Sequence, residues 1–211
     1  WKDTSFNGSD FHETPNLAHL ATEGMTFNQA YASAANCAPS RACLLSGQYT
    51  PRHGVYAVQS TLRGPKELMR MVPIPNREDL DPANVTMAEA LKAAGYATGH
   101  FGKWHLGEGP SSPRRQGFDV SFNSRPNPNQ RRDEPDDPKG IYSLTRAAGD
   151  FIESNRDRPF FTYVAHHAIH TSLEARPSSL EKFRSKQRGQ QHSDPLYAAC
   201  AYDLDDGVGQ L

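Results

Sequence analysis

Five residues carry most of the chemistry that this sequence offers, and they stand in three short runs. Cys37 and Arg41 lie in NCAPSRACLLSGQ, Lys103 and His105 in GKWHLG, and His170 in HHAIH. A helix beginning near Pro39 leaves its first amide N–H groups unpaired and carries a partial positive charge at that end. Such an end accepts sulfate or phosphate. Cys37 falls just before it, and Arg41 about one turn inside, within reach of an anion held at the same mouth. Pro39 suits a first turn because it has no N–H to leave unused. The plain alternative is a cysteine packed at a helix start with Arg41 on the surface. Cys43, among Ala42, Leu44 and Leu45, reads as core.

Lys103 and His105 are two apart, so on an extended segment they share a side while Trp104 turns away and packs. A lysine and an imidazole on one side can meet one anion, the lysine countering charge and the histidine moving a proton. Two solvated polar residues at a strand end are the unremarkable reading. In HHAIH, His166 and His170 would share a helix face at a zinc-site spacing. The preceding FFTYVA reads as a strand, however, and no HExxH glutamate is present. His166 and His167 are taken as strand-end or rim residues.

The elements that must position these runs follow from periodicity and punctuation. Thr14-Pro15 opens a short amphipathic helix through NLAHLATE that stops at Gly24. MTFNQAYAS alternates Met25, Phe27, Gln29 and Tyr31, which predicts a strand. Pro39 to Ser46 is a helix ended by Gly47, and Pro51 to Asn84 is irregular and proline-broken. Thr86 and Glu89 form a capping box that opens a helix through Ala94. YATGHFGKWHLG is a strand running into a turn. Residues Gly109 to Gly140 hold six prolines and many charges, including the pair Arg131-Arg132, and are expected to form a surface loop or insertion. Ile141 to Asn155 is an amphipathic helix and Pro159 to Ala165 a buried strand. Helices near Ser179–Arg188 and Pro195–Leu211 follow. On the last of these, Asp203, Asp205 and Asp206 are expected on an exposed face. Alternating strands and helices make the class α/β.

Composition excludes several classes. The formal net charge of −1 gives no reason to expect nucleic acid as a partner. No apolar run approaches the ~20 residues that a membrane-spanning helix needs. Three cysteines without a CxxC argue against a disulfide framework or a cysteine zinc cluster.

CAPSRACLLSGQ resembles the sulfatase signature, C-x-P-S-R followed by two or three residues and L-[TS]-G. ETPNLAHLATEGMTFNQAYA is similar to the segment before the sulfatase cysteine, and GYATGHFGKWHLG to the family's second signature. PFFTYVAHHAIHTSLEA and LYAACAYDLDDGVGQL match later segments in order and spacing. The sequence departs from the family at Gln48, where arginine is common. It departs again at Ile169 and Ser172, which replace the prolines of a PHTP motif.

The resemblance implies an alkaline-phosphatase-like three-layer α/β/α sandwich. Residues 1–211 would be part of a sulfatase catalytic domain, its first acidic strand and C-terminal part lying outside. It implies that Cys37 is oxidised to formylglycine by a formylglycine-generating or sulfatase-maturing enzyme and then touches a calcium ion. That ion's remaining ligands would lie outside this chain. Arg41 would stabilise the nucleophile and sulfate, and Lys103 would bridge the two. His105 would orient the hydrate and help release sulfate, and His170 would contact sulfate and protonate the leaving group. The implied substrate is a sulfated small molecule or glycan, and the implied location periplasmic or secreted. The 211 residues alone are expected to be inactive. A phosphonate or phosphate monoester hydrolase of the same superfamily, and a non-catalytic anion-binding fragment, remain as alternatives.

Overall fold

A computed structural model describes residues 2–124 and 134–211. Arg131 and Arg132, with part of the expected 109–140 loop, lie outside the described residues. Among the described residues the sheet has three parallel strands in the order β2-β1-β3: β1 (Ala97–Gly102), β2 (Val120–Phe122) and β3 (Phe160–Ala165). The register sets Gly99 beside Val120 on one side and Ala97 beside Phe160 on the other. Central β1 is buried along its whole length, as a strand covered on both faces must be.

Alternation along the strands sorts side chains into two layers. Ala97, Phe101, Phe160 and Val164 meet Leu144, Ala148 and Phe151 of α5 (Ile141–Asn155) on one face. Gly99 lies on that face too, and a Cβ there would meet Phe151 at 2.9 Å. On the opposite face Phe161 and Tyr163 pack against a cluster built from α2 (Cys37–Ser46), α4 (Met87–Ala93), Trp104, Leu106 and Phe118. Helix, sheet and helix thus make three layers. A further cluster, of Phe11, Phe183, Ala198 and Ala199, joins the N-terminal segment to α6 (Pro177–Ser185) and α7 (Pro195–Gly209). Before α2 come α1 (Pro15–Glu23) and, after it, the short α3 (Thr50–His53).

Several local expectations hold for the reasons given. The Thr86 hydroxyl accepts from the Glu89 N–H, and the Glu89 carboxylate accepts from the Thr86 N–H, closing the capping box over α4. Helix α5 has the expected bounds.

Other expectations are corrected. Residues 25–33 form no strand, and Met25, Phe27 and Tyr31 are more than 70% exposed. Alternation needs a sheet edge to pair with, and none of the described strands adjoins this segment. Helix α2 begins at Cys37 rather than Pro39, so the cysteine is the first residue of the helix. Within 109–140, β2 pairs with β1 and Gln116 and Phe118 are buried. The segment is therefore built into the sheet where it was expected to lie on the surface, because Phe118 supplies an apolar plug that the prolines around it concealed.

Asp203 and Asp205 are buried, not an exposed face. Asp203 accepts from the Arg176 N–H at 2.7 Å, from Arg176 Nε at 2.9 Å and from Ser179 Oγ at 2.5 Å. Asp205 accepts from the N–H groups of Asn16 and Leu17 at 3.0 and 2.8 Å. A buried carboxylate must be hydrogen-bonded, and here it ties α7 to α6 and α1. Asp206, half-buried, accepts from Tyr142 Oη and Arg176 Nη2, both at 2.9 Å.

Candidate active site

The C-terminal ends of the three strands converge on one side of the sheet, where ligands of parallel α/β sheets bind. β1 ends in Gly102 and hands the chain to Lys103. β3 ends in Ala165 and leads to His166, His167 and His170. β2 leads to Asn123. A cavity of about 890 Å³ lies there, and Cys37, Lys103, His105 and His170 all line it. A smaller cavity of about 360 Å³ is lined by Cys37, Arg41 and Tyr163. Cys37 belongs to both, so the two meet at its side chain. A groove of about 530 Å³ along α5 contains none of these residues.

Cys37 is the first residue of α2, and its N-cap Asn36 makes no side-chain capping bond among the described residues. The helix mouth therefore keeps free N–H groups and its partial positive charge beside the thiol. Arg41 is fixed from behind. Its Nη1 donates to the Lys103 carbonyl at 2.7 Å and contacts Tyr163 Oη at 3.1 Å. Its Nε is buried without a partner among the described residues. One bond thus links the two halves of the site: the guanidinium from α2 holds the backbone of the lysine that follows β1.

The GKWHLG run is a turn rather than the extended segment expected from its spacing. Gly102 has φ +109°, and a Cβ there would run into the Ala165 carbonyl, to which the Lys103 N–H donates at 2.8 Å. His105 has φ +61°, a left-handed conformation that side chains seldom adopt outside functional sites. Trp104 packs as expected, its Nε1 donating to the Ser111 carbonyl at 2.8 Å, while Lys103 and His105 line the cavity. The expected division of the three side chains is met by a different backbone.

Burial lowers the Lys103 pKa, the adjacent Cys37 sulfur opposes that, and Arg41 adds to it. Burial is also the first cause lowering the His105 pKa, followed by the charges of Lys103, Arg41 and His170. Lys103 and His105 thus lie close enough to feel the charges around them, Lys103 those of Cys37 and Arg41, His105 those of Lys103, Arg41 and His170. His170 donates its backbone N–H to the His167 carbonyl at 2.9 Å, and its Nδ1 pairs with the Thr171 carbonyl at 2.7 Å. A carbonyl only accepts, so Nδ1 carries a proton and Nε2 is the ring nitrogen left to exchange one in the cavity.

Sequence reasoning missed three cavity residues. His100, facing away from α5, bonds Ser121 Oγ through Nδ1 at 3.0 Å, and burial lowers its pKa to about 4. It is flanked by the Trp104, Phe118 and Tyr163 rings. His167, set aside as a rim residue, is buried and pairs with Asn123 Oδ1 at 2.8 Å. The strand period places His100 on the α2 side of β1, which was the available signal; Asn123 had none.

Glu78, Asp79 and Glu108 bring carboxylates to the outer wall of the larger cavity. Among the described residues they do not gather into a three-ligand group at Cys37. The cavity side chains therefore do not fit calcium by themselves. They do fit a modified residue 37, because the side chain stands at an open helix end with Lys103 beside it.

A parallel α/β sheet layered by helices, with Cys37, Lys103, His105 and His170 lining one cavity at its strand ends, defines part of an alkaline-phosphatase-like α/β/α fold. The chain belongs to the sulfatase family, whose profile matches residues 1–211. It is 34% identical to mouse N-acetylgalactosamine-6-sulfatase over all of this chain and 44% of that protein. It is 30% identical to a Formosa agariphila sulfatase over 97% of this chain and 48% of that protein. Among solved structures, Ps i-CgsB in complex with k-i-k-neocarrahexaose superposes with a TM-score of 0.79 at 27% identity, covering all of this chain and 51% of that one. The chain thus spans about half the length of the proteins it matches.

Proposed function

We propose that the protein hydrolyses a sulfate monoester, with a sulfated glycan or small sulfated molecule as substrate. The observation that carries this is Cys37 at the open end of α2, sharing one cavity with Lys103, His105 and His170 and a second with Arg41. Membership of the sulfatase family supports the reaction class. The names N-acetylgalactosamine-6-sulfatase and neocarrahexaose complex favour a carbohydrate among the possible substrates.

Residue 37 is the nucleophilic position, matured to formylglycine by a dedicated enzyme. Formylglycine supplies a hydrated carbonyl oxygen for attack on sulfur. Arg41, Lys103 and the α2 N–H groups counter the negative charge that grows on the sulfuryl oxygens. The Arg41 bond to the Lys103 carbonyl keeps the two cations in register. His170 Nε2, the ring nitrogen not engaged by the Thr171 carbonyl, passes a proton to the leaving alcohol oxygen. His105, kept neutral by burial and by neighbouring cations, accepts a proton at residue 37 so that sulfate can depart. Calcium, which the described cavity side chains do not hold by themselves, would screen the sulfate charge.

The test is turnover of an aryl sulfate against an aryl phosphonate by the full-length protein, produced with its maturing enzyme and calcium. Preference for the sulfate is expected. Preference for the phosphonate, or no turnover of either, overturns the reading.

A further inference from the structure

A second cluster of metal-ligating side chains stands apart from both cavities at Cys37. Asp3, His12 and His192 each bring one ligand atom within 4.8 Å of the other two. The His12 and His192 ring centroids are 4.5 Å apart, and His192 Nε2 is 3.3 Å from Asp3 Oδ1. We propose that these three side chains bind a Zn²⁺ ion that fastens the N-terminal segment to the connection between α6 and α7.

The remaining polar atom of every ligand is held from behind. His12 Nδ1 donates to the Asp3 carbonyl at 3.0 Å, which leaves Nε2 with its lone pair. His192 Nδ1 faces Asp10 Oδ1 at 3.4 Å and Ser9 Oγ at 3.3 Å, which leaves Nε2 toward Asp3. Asp3 Oδ2 accepts from Tyr197 Oη at 3.1 Å. Outer partners of this kind fix tautomers and raise ligand basicity in metal sites. Asp10 is itself anchored by the N–H groups of Gln190, Gln191 and His192.

Two imidazole nitrogens and one carboxylate oxygen form a borderline donor set with three protein ligands and one open position, which suits Zn²⁺. His12 is 4% exposed, so its imidazole is already desolvated and directed. Two ligands precede α1 and the third precedes α7. The fold joins these stretches elsewhere through Lys186 and Glu13, 2.7 Å apart, so an ion would reinforce an existing seam.

The test titrates this chain with Zn²⁺, and with Co²⁺ as a spectroscopic stand-in, near neutral pH. One equivalent should bind, raise the melting temperature and give Co²⁺ visible bands. His12→Gln and His192→Gln should abolish the bands, and Tyr197→Phe, which keeps the ring, should weaken Zn²⁺ binding about tenfold. His170→Gln should leave the bands unchanged. On the unmutated chain, Zn²⁺ should protect His192 from diethyl pyrocarbonate, a readout that needs no variant to fold. Loss of the bands in His170→Gln instead, or no protection of His192 at saturating Zn²⁺, overturns the proposal. A melting temperature insensitive to Zn²⁺ also overturns it, and leaves the cluster as contacts of His192 with Asp3 and Asp10 alone.

Discussion

Asp205→Ala is a sharp test of how the C-terminal helix holds the rest of the chain. Helix α1 has Pro15 at its start and Thr14 at its N-cap, yet Thr14 does not cap it; the Thr14 hydroxyl instead accepts from the Ser5 N–H at 2.9 Å. The orphan N–H groups of Asn16 and Leu17 turn to Asp205 of α7, and the Asn16 side-chain amide donates to the same carboxylate at 3.0 Å. Loss of an N-cap acceptor costs about 1–2 kcal/mol. Loss of a hydrogen bond to a buried charge adds roughly 1.5–3 kcal/mol. Shared acceptors make the sum less than additive, so about 3 kcal/mol is expected. In a chain of this size that lowers the melting temperature by roughly 6–12 °C.

Thermal unfolding followed by circular dichroism measures the shift, and hydrogen exchange should show α1 losing protection first. Asp205→Asn keeps one acceptor oxygen but turns an amide toward an N–H donor, so about 2 kcal/mol is expected. An Asp205→Ala melting temperature within about 2 °C of the parent would refute the capping argument, since exposed substitutions cost at most about 0.5 kcal/mol.

Further outcomes follow from the same structure. Burial holds the pKa of His100 and His166 at about 4 in the folded chain, against 6.5 for an ordinary histidine. The unfolded chain therefore binds more protons between those values, and stability is full above pH 6.5 and falls as pH drops toward 4, by on the order of 3 kcal/mol for each group. Urea unfolding at successive pH values measures the slope, and His100→Gln should reduce it by one histidine's share, since His12, His53 and His105 act in the same direction; an unchanged slope would count against the burial argument. Gly102→Ala places a methyl group against the Ala165 carbonyl at a positive φ, and should cost more than about 2 kcal/mol by urea unfolding. Arg41→Lys loses the guanidinium whose Nη1 reaches both the Lys103 carbonyl and Tyr163, and should lower kcat of the full-length enzyme about 10²-fold or more; retention of kcat would remove Arg41 from the proposed machinery.

Much of the layered fold was legible because local signals and packing agree. The capping box at Thr86, the amphipathic α5 and the apolar β3 each carry their own instruction, and the sheet obeys them. What misled was pattern without context. The alternation of Met25, Phe27 and Tyr31 had no strand to meet, and the Asp203 and Asp205 pattern said nothing about the backbone amides waiting for those carboxylates. β2 was hidden because three residues amid prolines give too short a period to recognise. At the site, Cys37 and Arg41 were visible from helix geometry and the pairing of Lys103 with His105 from their spacing, but the positive-φ backbone at Gly102 and His105 that delivers the pair was not. His100 could have been placed by the strand period, whereas His167 depends on the turn after β3 and on Asn123, which spacing does not reveal.

The most direct test of the central claim is the mass of the tryptic peptide containing Cys37, taken from full-length protein that turns over an aryl sulfate. The expected peptide is lighter by the difference between a CH₂SH and a CHO group, with Cys43 and Cys200 remaining thiols. Active protein whose Cys37 peptide retains the unmodified thiol contradicts the account.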